Sequence, residues 1–146
     1  MQQTTSVAHT LARQVLAHET AQGAPAEPQW NAAVRAVERL RDSFSRFAGV
    51  TGFRSILARA LTLAQREAPW LAAVDVTPDG ALVGFVEGAQ AQDPAALAMG
   101  SCALLAQFFG LLYAFVGEAL TQRLLADTWP DALVGTTPPR RQGNAR

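Results

Sequence analysis

The chain contains no lysine: all twelve of its basic residues are arginine. It has one cysteine, one tyrosine and two histidines among 146 residues, and only 16% of its residues are charged. Each shortage excludes something. A single thiol, Cys102, cannot build an internal disulfide framework, so a reducing compartment is the simple expectation. His9 and His18 stand nine residues apart, which puts them on opposite faces of a helix and unable to share a metal. HExxH, CxxC, a phosphate-cradling glycine loop and a nucleophile elbow are all missing from the sequence. No catalytic residue, cofactor or metal ligand is therefore expected. Met1 to Leu16 lacks a basic stretch followed by an apolar run, so no secretory leader is expected and the protein is read as cytoplasmic.

What is present points to one globular domain. Hydrophobic residues make up 49% of the chain, and its length suffices for a core without staples or metal. Arginine without lysine, beside abundant alanine, is the mark of GC-rich coding before it is a mark of function. The net charge is zero but unevenly spread. Trp30 to Arg66 carries seven arginines against Glu38 and Asp42, whereas Glu67 to Asp131 carries eight acids against Arg123. Two such halves can neutralise each other within the fold or across a dimer. The arginine face (Arg35, Arg39, Arg46, Arg59, Arg66) has no interleaved aromatic platform and no groove-reading motif. It is read as a solvated, ion-paired surface, and nucleic acid is not an expected partner.

Periodicity divides the chain into elements. Val7, Leu11, Val15 and His18, extended by Ala8 and Ala12, mark one side of a helix from about Thr5 to Gln22. Gly23 to Pro28 reads as a linker with two prolines. Trp30, Val34, Val37, Leu40, Phe44 and Phe47 recur at four-three-three-four-three spacing, the stripe of a second amphipathic helix. Gly49 to Gly52 interrupts it. Phe53, Ile56, Leu57, Ala60, Leu61 and Ala64 then mark a third helix, which Pro69 closes. Leu71 to Val76 and Ala81 to Val86 alternate like strands around Thr77-Pro78-Asp79-Gly80, a turn sequence, and predict a β-hairpin at about 71–86. Two strands alone are marginal, so the hairpin must lean on helices or on another chain. Asp93 and Pro94 suit the start of a long last helix reaching about Thr128, where Trp129-Pro130 stops it. The expected fold is mainly α, in the order ααα-ββ-α. Residues 1–134 form the domain, and 135–146 are expected to be a disordered basic tail.

The last helix carries the functional reading. Pro94 to Gly117 spans 24 positions without a charge, long enough for a membrane span by length. Its glycines, Gln107 and many alanines make transfer into lipid marginal, and neither end has a basic cluster or an aromatic belt. The three upstream helices also need a hydrophobic centre, and this segment is the one that can supply it. Along one face Ala96, Gly100, Ala103, Gln107, Gly110, Ala114, Gly117 and Thr121 make a stripe of mostly small residues. Such a stripe lets another backbone come close. The alternative is that an earlier element of the same chain covers it. Gly100, Ala103, Gln107, Gly110, Ala114 and Gly117 are therefore the expected interface residues, with Gln107 setting the register. Glu118, just past the uncharged stretch, is the one carboxylate placed where burial could perturb it.

Two stretches, Gly52 to Trp70 and Phe115 to Pro130, resemble segments of short uncharacterised bacterial helical proteins and cover about a quarter of the chain. The resemblance implies a bacterial cytoplasmic origin and supplies no activity, cofactor or site residue. The leading expectation is a non-enzymatic adaptor or scaffold that oligomerises with itself through helix 94–128 and binds another protein. A membrane-anchored accessory subunit using the same helix is the second. An enzyme with a site around Glu118, shared between subunits, is the third.

Overall fold

A computed structural model describes residues 2–131, with side chains from residue 6 onward. The expected tail at 135–146 lies outside the described residues. The order is α1 (Gln2–Gln22), α2 (Trp30–Ala64), a 3-10 turn (Pro69–Ala73), β1 (Asp75–Val76), β2 (Leu82–Val83), α3 (Phe85–Gln90), α4 (Pro94–Val116) and α5 (Glu118–Thr128). The protein is mainly α, with one antiparallel hairpin.

The helix α4 is the centre. It is apolar nearly all round, so it can be stable only where other elements cover it. The helices α1 and α2 both lie along it, and α5 folds back onto its end. Leu97, Ala103, Leu104, Leu105, Ala106, Phe108, Phe109 and Leu112 are all buried there. The start follows the sequence expectation. Asp93 accepts a hydrogen bond from the Ala96 amide at 2.7 Å, and Pro94 occupies the first turn.

Two glycines break the helical path of the backbone, one where the sequence predicts a break and one where it does not. Gly49 has φ 85° and ψ 160°, and Gly117 has φ 89° and ψ 164°. An L-residue with a Cβ is strained at such angles, and glycine is not. The break at Gly49 splits α2 into arms 30–48 and 50–64, the two helices the sequence predicts. It also brings Phe44 and Phe53, one from each arm, onto the ring of Phe108, at centroid distances of 6.3 and 5.5 Å. The break at Gly117 corrects the expectation of one helix reaching Thr128. Helical periodicity continues through a single left-handed glycine, so the pattern conceals the turn.

The buried faces differ in detail from the expected ones. In the second arm all six expected residues, Phe53 to Ala64, are buried. In α1 the inner face is Ala8, Leu11, Ala12, Val15 and Glu19, while Val7 is exposed and His18 only half-buried. The alanine edge turns inward because small side chains let α1 lie close against its neighbours. Phe47, the last residue of the expected stripe, is 49% exposed.

The hairpin is shorter than 71–86. Only Asp75–Val83 and Val76–Leu82 pair, and the chain reverses through the predicted Thr77-Pro78-Asp79-Gly80 turn, which rests on the Phe53 ring. Leu71 lies in the 3-10 turn, and Phe85 starts α3 after Gly84. Leu71, Val74 and Phe85 are buried as anchors to the helices, and that demand overrides strand alternation at both ends.

Candidate interaction surface

The small-residue face of α4 divides into two halves. Trp70 lies across the first half, and a Cβ on Gly100 would come within 2.5 Å of its ring. Its indole nitrogen donates to the Ala96 carbonyl at 3.4 Å. Ala103 is also buried within the chain. Gly100 and Ala103, expected at an interface, are thus covered by the protein itself. Gln107 is half-buried, and its amide donates to Oε2 of Glu67 at 3.4 Å. The second half is open. Ala114 is exposed, and a Cβ on Gly110 or Gly117 would meet nothing within 4 Å. Thr121, the continuation of the stripe, lies in α5 and is fully buried.

The open half belongs to the end of the molecule where both helix breaks lie. A groove of about 320 Å³ runs between the first arm of α2 and α5. Thr128 and Ser43 tie the two helices together there, their hydroxyls 2.9 Å apart. Phe47, Val116, Leu120 and Leu124 make its apolar lining, and Arg46, Arg123 and Asp127 stand around it. Phe115, next to Val116 on the last turn of α4, is 61% exposed, and Leu120 is 38% exposed. Large apolar side chains clustered in water at one end mark an interaction surface more specifically than scattered ones. Among the described residues Arg46, Arg123 and Asp127 form no ion pair. Periodicity placed Phe47 in the apolar stripe of the second helix, and so concealed this surface.

A second cluster was also missed. The Glu19 carboxylate is fully buried. It accepts from Nε of Arg35 at 3.1 Å, Nε of Arg39 at 2.5 Å and the indole nitrogen of Trp129 at 2.8 Å. Arg35 also donates to the Glu19 carbonyl at 2.6 Å and to Glu27. The hydrogen bond and charge of Arg35 hold the Glu27 carboxyl below its ordinary range. The arginine face is therefore corrected in part: two of its members serve a buried acid. A signal was available, because Glu19 follows Val15 by four residues on the buried side of α1. The cluster ties α1, α2 and the end of α5 together.

Beside α1 and α4 a shallower groove of about 550 Å³ is lined by His9, Arg13, Glu67, Met99 and Cys102 among others. His9 lies 3.7 Å from Glu67, and burial pushes the Cys102 thiol up, away from the reactive thiolate. No group of three His, Cys, Asp or Glu side chains placed to hold a metal occurs among the described residues. Glu118 is exposed and accepts from Gln122 at 3.3 Å. The burial that would single it out is therefore not found.

Compared with known proteins, the chain matches no family model, no curated protein and no solved structure.

Proposed function

We propose that this protein is a non-enzymatic protein–protein interaction module that associates with itself through the α4–α5 end. The observation that carries this reading is the exposure of Phe47 and Leu120 in one apolar groove, with Phe115 exposed next to the groove's Val116 on the last turn of α4. Burying such residues against a second surface returns roughly 25 cal/mol for each Å² of apolar area, the main drive of association. A cytoplasmic bacterial adaptor or scaffold that presents a further surface to another protein fits this reading.

Sedimentation velocity of the full chain from about 1 to 100 µM tests it, over the range where modest interfaces respond to mass action. The mass is expected to exceed that of one 15.5 kDa chain as concentration rises. A monomer throughout would sink the reading.

One observation favours a second reading, the membrane-anchored accessory subunit. The helix Pro94–Val116 has a mean hydropathy of 1.8 over its most apolar stretch and is long enough to cross a bilayer. Over half of that stretch is already buried against the chain's own helices, which a span would have to give up. Recovery of the protein only from carbonate-washed membranes would favour this second reading over the first.

A further inference from the structure

We propose that the groove between the first arm of α2 and α5 is a twofold interface with a second copy of this chain, in which Arg123 of each copy meets Asp127 of the other. The proposal rests on the self-association reading and names its surface, which is not the small-residue face of α4 that the sequence suggests.

Three observations converge on it. The groove has an apolar lining of Phe47, Val116, Leu120 and Leu124, with Phe47 and Leu120 substantially open to water. Around that lining stand charges of both signs, and none of Arg46, Arg123 and Asp127 is paired among the described residues. The backbone beside the groove is also unobstructed, since nothing lies within 4 Å of where a Cβ on Gly117 would be.

The choice of a second copy follows from the charge pattern. A nucleic acid or purely acidic protein would satisfy Arg46 and Arg123 and repel Asp127, and a purely basic protein the reverse. A surface bearing both signs matches itself when rotated by a half-turn. Arg123 and Asp127 are four residues apart, so they share one face of α5 one turn apart. With two copies of α5 antiparallel about an axis between these residues, each arginine faces the partner's Asp127. One rotation makes both ion pairs and closes the apolar linings on each other. Such pairs at a rim chiefly fix register and partner, while the apolar centre supplies most of the affinity.

Charge reversal on the full chain tests this. In Arg123→Glu two acids face each other at each contact across the axis, and in Asp127→Arg two cations do. Each variant alone is expected to dimerise at least tenfold more weakly than the wild type by sedimentation velocity. An equimolar mixture is expected to regain a dimer, because a 1:1 pair again sets opposite charges together at both contacts. Regain on mixing also shows that both variants are folded. Phe47→Glu is expected to abolish the dimer with helical circular dichroism intact. If the wild type associates but neither reversal weakens it, the surface is wrong and the self-association reading stands. If both variants weaken and mixing restores nothing, the twofold pairing is overturned. A wild type that stays monomeric, with residues 132–146 or another protein occupying the groove, overturns both proposals.

Discussion

The indole nitrogen of Trp129 donates to Oε2 of Glu19 at 2.8 Å, joining residues 110 positions apart in the sequence. Both side chains are buried, the Trp129 ring packing edge-on to Phe109 of α4 at 6.4 Å. The pair fastens the first helix to the end of the last. Arg35 and Arg39 close over the same carboxylate from α2, each still partly open to water. A charge taken out of water is tolerated here because every partner is in place.

Removing one partner should therefore cost more than a surface ion pair would. Glu19→Ala is expected to lower unfolding free energy by about 3 kcal/mol, since it leaves the buried Trp129 indole N–H without an acceptor and removes the carboxylate that Arg35 and Arg39 share. Trp129→Phe keeps most of the ring and loses only the donor, for about 1–2 kcal/mol. Urea unfolding followed by circular dichroism measures both. A loss below about 1 kcal/mol for Glu19→Ala would mean that the carboxylate does not fasten the helices.

Three glycines of one apparent stripe should respond in three ways to alanine. Gly110→Ala adds a methyl into open space inside a helix and should stabilise by about 0.5–1 kcal/mol. Gly100→Ala drives a methyl into the Trp70 ring and should destabilise by about 1–3 kcal/mol. Gly117→Ala has room, but its φ of 89° suits only glycine, so a loss of about 1 kcal/mol or more is expected. Thermal melts of the three variants in dilute solution separate Gly110→Ala from the other two by sign. Equal shifts for all three would refute the division of the stripe.

The pH dependence of stability follows from four groups. Burial raises the Cys102 thiol and the Tyr113 phenol. On the alkaline side the unfolded chain ionises these groups first, so their contribution is complete below the ordinary thiol and phenol ranges and is lost as pH rises through the raised values. A hydrogen bond from Arg35 lowers Glu27, and one from Thr77 lowers Asp79. That contribution is present above the ordinary carboxylate range and is lost as pH falls through the lowered values. Melting temperature should thus be flat near neutrality and fall on both sides. Cys102→Ala should soften the alkaline fall and leave the acid one unchanged; an unaltered alkaline limb would remove the thiol from this account.

Much of the fold was legible because it depends on local chemistry. The second arm of α2 could be read residue by residue: Phe53, Ile56, Leu57, Ala60, Leu61 and Ala64 repeat with the helix, and all are buried. The turn at Pro78 to Gly80 and the cap at Asp93 were equally plain, since each depends on backbone preferences within four residues. The interaction surface was less legible. Phe47 and Leu120 are apolar at helical spacing, as core residues are, and only neighbouring elements determine whether anything covers them.

The sequence by itself determined a mainly helical domain, the hairpin turn, the helix break at Gly49, and α4 as the hydrophobic centre. All of these rest on interactions within a turn or two of chain, or on a composition that admits burial alone. Tertiary structure decided the rest. Trp70 covers Gly100 and leaves Gly110 bare, and Glu19 becomes a buried tie by meeting Arg35, Arg39 and Trp129. Gly117 turns the last helix back so that α5 lies against α2. These outcomes depend on partners far away along the chain, and a helix's periodicity shows which residues share a face without showing what that face will meet.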